Sequence, residues 1–144
     1  REHHLSAAVA ALRSTPGVHV DAVSRLIETA PVGPVSQGPF LNAAATLWTT
    51  LSPEALLARL MDIERAQGRD RSSGERWGPR TLDLDFLLFG RVRLHTATLT
   101  LPHPRLHERR FVLQPLSEIA PAWPVPGRGP VLALLAALPP DSAN

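Results

Sequence analysis

Cysteine, lysine and tyrosine are absent from this sequence, and methionine occurs once. Without cysteine there are no disulfides and no thiolate chemistry, and a zinc site would have to rest on histidine and carboxylates alone. A reducing, cytoplasmic setting is the expectation. Without lysine, all 15 basic residues are arginine. A P-loop or a protein-kinase site, each of which places a lysine on the nucleotide phosphates, is therefore excluded. Any phosphate clamp here is made of guanidinium groups, which bind oxyanions bidentately. A mutational bias toward arginine codons is the plainer account of the same count. Long apolar runs are missing too. The stretch Val131 to Leu138 falls far short of the roughly 18 residues of a membrane span, so no membrane partner is expected.

The 144 residues suit one domain, and 44% hydrophobic content supplies a core. The net charge is only +2, so the sequence pI near 10.9 is partly an effect of the arginine-only composition. Leu5, Val9 and Leu12 recur at helical spacing and predict a helix over 1–12, ended by Thr15-Pro16-Gly17. Val18 to Ile27 and Leu41 to Leu51 read as strands. Three prolines and two glycines between 30 and 39 make the connection a loop. Ser52-Pro53-Glu54 is a helix start: Ser suits the N-cap, Pro the first helical position, and Glu the positive end of the dipole. That helix should end near Gly68. A polar loop over Arg69 to Arg80 leads to a strand, Leu82 to Phe89, then a hairpin through Val92 to Leu101. A loop or short helix follows over Pro102 to Arg110. Helices are expected over Phe111 to Ile119, interrupted at Pro115, and over Val131 to Leu138. The order is helix, strand, strand, helix, strand. It predicts an α/β (α+β) ferredoxin-like sandwich with an added hairpin, a single domain over 1–144 and a first strand missing.

Asp83 and Asp85 carry the chemistry. Side chains two apart on a strand share a face, so Leu82, Leu84 and Phe86 turn to the core while both carboxylates turn out. Two carboxylates side by side repel unless a cation sits between them. Mg²⁺ is commonly held by one or two carboxylates, with waters and substrate phosphates completing its shell. Arg69, Arg71, Arg76, Arg80, Arg105, Arg109 and Arg110 bracket the pair, which suits a metal–nucleotide complex. A solvated strand face of plain ion pairs is the other reading. Trp77 covers a ligand as part of a lid or pins its loop to the core. Phe40 and Phe111 stack on a flat heterocycle or pack in the core, and Asn42 lies where it could read a heterocycle's edge. His103, between two prolines, is a candidate phosphate donor.

Taken in order, several segments resemble the 6-hydroxymethyl-7,8-dihydropterin pyrophosphokinase family of folate biosynthesis. They are Phe40-Leu41-Asn42-Ala43-Ala44; Ile63-Glu64 with Gly68-Arg69; the run from Arg76 to Asp85; the run from Leu101 to Phe111; and Glu118-Ile119-Ala120-Pro121. The resemblance runs from Arg1 to about Leu138. It implies transfer of pyrophosphate from ATP to the pterin's hydroxymethyl oxygen, with AMP released. Asp83 and Asp85 would hold two Mg²⁺ ions and act catalytically with Arg80 and Arg71. Phe40 and Phe111 would sandwich the pterin. Asn42 and the backbone around Thr29 and Val32 would hydrogen-bond its edge. Glu64, Arg69, Arg80, His103 and Arg109 would hold ATP. Arg71 and Trp77 would lie in a closing loop. Small molecules are the implied partners of a monomer that binds no nucleic acid.

There are departures from the family pattern. Phe40 stands where many members carry tyrosine, which keeps stacking and loses a hydroxyl. Members also begin with a strand before the helix that opens this sequence, and that strand lies beside the one bearing the two aspartates. The sequence starts at Arg1, so a truncated chain, or a gap filled by another segment, is the expectation. Two alternatives stand beside the enzyme reading: an arginine-rich RNA-binding module, and an inactive remnant. Against the first, the aromatic strand signature is missing, and two aspartates would repel phosphates without a metal.

Overall fold

The computed structural model describes residues 2–29, 40–69 and 82–140, with the side chains of Thr29, Phe40 and Arg69 outside that description. Its elements are α1 (Glu2–Arg13), β1 (Val18–Val23), β2 (Ile27–Thr29), β3 (Phe40–Asn42), β4 (Ala45–Thr49) and α2 (Pro53–Arg69). They continue with β5 (Leu94–His95), β6 (Thr100–Leu101), a 3-10 turn over Leu106–Glu108, α3 (Arg110–Ile119), β7 (Pro124–Val125), β8 (Gly129–Pro130) and α4 (Val131–Ala137). Among the described residues this is a mixed α/β structure with antiparallel hairpins. The chain divides into two compact units, one of residues 1–20 and 47–85, the other of 21–46 and 86–144.

In the first unit α1 packs on α2. Ala8 and Leu12 of α1 are buried, as are Leu56, Leu60 and Ile63 of α2, which recur every third or fourth residue. Polar groups close the seam: His4 Nδ1 lies 2.6 Å from Gln67 Oε1, and Arg59 Nε donates to Thr15 Oγ1 at 2.8 Å. α2 starts as expected, with the Ala55 amide donating to Ser52 Oγ at 3.1 Å. Gly17 makes the turn after α1 at φ +80°, and its carbonyl accepts from the Thr50 amide and from Thr49 Oγ1.

The second unit is organised by α3. Leu106, Leu113, Leu116, Ala120, Val125 and Val131 form its core, and α3 packs against α4, β2 and β3. Arg110–Ile119 is one continuous helix through Pro115, where an interruption was expected. Proline lacks only the N–H that would bond the Phe111 carbonyl, and the fully buried Pro115 ring fills core space.

Two long strands were expected before α2, and four short ones form. The β2–β3 pair is antiparallel, with Thr29 opposite Phe40 and Ile27 opposite Asn42. β1 and β4 make another two-stranded sheet. The break comes at Ser24, whose amide donates to the Ala44 carbonyl at 2.8 Å while its hydroxyl oxygen accepts from the Ala44 amide at 2.8 Å. A side chain there replaces a ladder partner, so both strands are interrupted together.

Leu82–Phe89 is a correction. Among the described residues it belongs to no sheet. Its alternation survives: Leu82 is buried, Leu84 half-buried, and Asp83 and Asp85 exposed. Alternation is a property of one extended chain, whereas a ladder needs a second. The expected hairpin is present as β5–β6, with Leu94 opposite Leu101. The β7–β8 hairpin was not anticipated.

Candidate active site

Each unit carries part of the constellation. In the first, Asp83 and Asp85 are both exposed, with the half-buried Leu84 between them. The Leu84 amide between them donates to Glu64 Oε2 at 2.5 Å. Glu64 follows the buried Ile63 on α2, so its backbone is fixed by core packing. A carboxylate on a rigid helix thus holds the peptide that links the two aspartates. Such charge-assisted bonds are short and roughly twice as strong as neutral ones. Arg69 ends the same helix. Two exposed carboxylates two residues apart suit Mg²⁺, which takes few protein ligands and keeps its waters. Among the described residues no group of three or more His, Asp or Glu could form a closed metal cage.

In the second unit β2 and β3 place Thr29, Phe40 and Asn42 on one hairpin. Thr29 pairs with Phe40 and Ile27 with Asn42 in its register. Phe111 is the second residue of α3, which packs on both strands. The other end of α3 is tied down by Arg25, two residues before β2. Its Nη2 and Nε donate to Glu118 Oε2 at 3.1 and 3.2 Å, and its amide donates to Glu118 Oε1 at 3.1 Å. The hydrogen bonds from Arg25, then its charge, lower the Glu118 carboxyl below the usual glutamate range. Arg109, just before α3, sets its guanidinium carbon 5.7 Å from the centroid of the Phe111 ring, within cation–π range. His103 is held by its amide, which donates to the Leu87 carbonyl at 2.9 Å, and its Nδ1 accepts from the Arg105 amide at 3.2 Å.

The hairpin–helix arrangement therefore brings together Thr29, Phe40, Asn42 and the helix bearing Phe111, while Glu64 joins the Asp83–Asp85 segment. Val32, Arg71, Arg76, Trp77 and Arg80 lie outside the described residues. Sequence reasoning missed the Arg25–Glu118 clamp and the Glu64–Leu84 bond. Glu118 was within a family segment, but neither pairing has a periodicity that would mark it.

Comparison with known sequences supplies what geometry alone does not. The sequence model of 7,8-dihydro-6-hydroxymethylpterin-pyrophosphokinase (HPPK) matches residues 1–121. The chain belongs to that family. It is 50% identical over 119 residues to 2-amino-4-hydroxy-6-hydroxymethyldihydropteridine pyrophosphokinase of Bacillus subtilis, covering 83% of this chain and 70% of that protein. It is 44% identical over 135 residues to the protein of the same name from Pseudomonas aeruginosa, covering 94% of this chain and 82% of the relative. A mitochondrial folate synthesis bifunctional protein of Pisum sativum is 40% identical over 119 residues, which are 83% of this chain and 22% of that protein. Membership of this pyrophosphokinase family leaves the RNA-binding and inactive-remnant readings without support. Among the described residues, no helix is long and apolar enough to cross a membrane.

Proposed function

We propose that this chain transfers the β,γ-pyrophosphoryl group of ATP to the hydroxymethyl oxygen of 6-hydroxymethyl-7,8-dihydropterin. The acceptor oxygen bonds to the β-phosphorus and gives up its proton. The bond from that phosphorus to the oxygen bridging it to the α-phosphorus breaks, and AMP leaves. The observation that carries the reading is the exposed Asp83–Asp85 pair within a pyrophosphokinase family sequence.

Asp83 and Asp85 are the ligands for two Mg²⁺ ions. Bound there, Mg²⁺ supplies charge neutralisation on the phosphate oxygens and lowers the cost of deprotonating the acceptor. Arg69, Arg80, His103 and Arg109 orient the phosphates, and Glu64 completes the ATP site. Phe40 and Phe111 hold the pterin ring between aromatic faces, and Asn42 with the backbone near Thr29 and Val32 bonds its edge. Arg71 and Trp77 belong to a loop that excludes water. Phosphoryl-type transfer depends on positioning and electrostatics more than on a covalent nucleophile. The reading includes a ferredoxin-like arrangement within a single pyrophosphokinase domain.

The test is AMP release from ATP and Mg²⁺, with and without the hydroxymethyl dihydropterin, together with ³¹P NMR of the pterin product. Pterin-dependent AMP and a pterin diphosphate are expected. Formation of ADP, or no dependence on the pterin, would overturn the reading.

A further inference from the structure

Ser24, Arg25 and Leu26, between β1 and β2, belong to no strand. Side chains serve the main chain there. Ser24 Oγ accepts from the Ala44 amide at 2.8 Å and donates to the Arg25 carbonyl at 2.9 Å. The Arg25 amide finds its acceptor on α3, where Glu118 Oε1 lies 3.1 Å away. A main-chain donor that leaves a ladder needs such a partner. The Arg25 guanidinium also reaches Glu118, at Oε2, but the Arg25 side chain is 84% exposed, and an ion pair in that setting contributes little. The bond from the amide is the one that ties main chain to helix.

Glu118 follows Phe111 by seven residues on α3, about two helical turns, so the two share a face. The buried Leu113 and Leu116 lie about half a turn round the helix from that face. Core burial therefore holds one side of α3, and the Arg25 amide holds the other. α3 packs on β2 and β3, and β2 starts two residues after Arg25. Rotation of α3 about its axis would move Phe111 relative to that hairpin and break the Glu118 bond at the same time.

We propose that Glu118 is a positioning residue for the pterin half of the site: its carboxylate, by taking the Arg25 amide, fixes the rotation of α3 that presents Phe111 to the strand bearing Phe40 and Asn42. The inference rests on the assignment of those three residues to the pterin under the proposed activity. Glu118 acts through Phe111 and stands outside the assigned ATP and metal contacts.

The experiment measures kcat and the KM values for pterin and ATP in the whole chain and in Glu118→Ala, Glu118→Asp, Glu118→Gln and Arg25→Ala, with urea unfolding of each. Glu118→Ala should raise the pterin KM about tenfold and leave the ATP KM within about twofold, because a less pre-organised site lowers apparent affinity by its competent fraction. Glu118→Gln keeps a carbonyl oxygen for the Arg25 amide and should recover most of the loss. Arg25→Ala keeps the amide and removes only the exposed guanidinium, so its pterin KM should stay within about threefold of wild type. Glu118→Asp keeps the charge but draws the oxygen back by a methylene. It should show part of the pterin KM rise, and it carries the comparison if the alanine variant does not fold. Equal rises in both KM values, an Arg25→Ala defect as large as that of Glu118→Ala, or an unchanged pterin KM in the folded variants overturns the proposal. A wild type that forms the pterin diphosphate beside such a result keeps the proposed activity. A wild type without pterin-dependent AMP loses the activity and the positioning role together.

Discussion

Replacing Glu64 tests whether the aspartate segment is held from α2. Glu64 Oε2 accepts the Leu84 amide at 2.5 Å, and this is the peptide between the two proposed metal ligands. A hydrogen bond to a charged group contributes about 1.5–3 kcal/mol net. If that energy keeps the segment in its binding-competent form, losing it lowers the competent fraction, and apparent affinity falls by the same factor. At about 1.36 kcal/mol per decade, the span is roughly 10- to 150-fold. Glu64 is half-buried, so water competes for the amide and the expectation lies near the lower end, about tenfold. The assay measures kcat, KM for ATP and the Mg²⁺ concentration for half-maximal rate in Glu64→Ala and Glu64→Gln, with urea unfolding as a control. Glu64→Ala should raise the Mg²⁺ requirement and lower kcat/KM about tenfold. Glu64→Gln keeps an oxygen acceptor and should recover most of the loss. Equal defects in the two variants, or alanine within about twofold of wild type, would refute the positioning argument.

Asp85→Ala should cost roughly 10²-fold or more in turnover. Because Asp85 is exposed, its stability should stay within about 0.5 kcal/mol; near-normal turnover removes the metal role. Leu113 is 0% exposed in the second unit's core, so Leu113→Ala should lose about 2–5 kcal/mol in urea unfolding. Gly17→Ala puts a Cβ at φ +80° and 2.8 Å from Thr50 Oγ1, and about 1–2 kcal/mol of destabilisation is expected from the left-handed backbone. Glu118 is depressed in the folded state by Arg25. Its contribution is thus complete above the ordinary glutamate pKa of about 4.3 and fades as pH falls through the lower folded value. Glu118→Gln should flatten the acid limb of a stability–pH profile in that window, and an unchanged slope would remove the clamp from the account.

The helices were legible because their signals are local. Leu56, Leu60 and Ile63 mark the buried stripe of α2, and Ser52 with Pro53 marks its start. Pro115 misled for a related reason: a local rule predicts a break, yet burial of its ring in the core compensates a single lost bond. The broken strands were not legible, because Ser24 acts through Ala44, 20 residues away.

By itself the sequence determined the chemistry class. The arginine-only set of cations, the absence of cysteine and the Asp83–Asp85 spacing follow from residue identity and the two-residue repeat of an extended chain. The family motif from Arg76 to Asp85 added the substrates. Only the tertiary structure decided what holds those residues. Glu64 reaches the Leu84 amide and Arg25 clamps Glu118 because elements distant in sequence pack together. Such pairings depend on packing geometry rather than on any spacing along the chain.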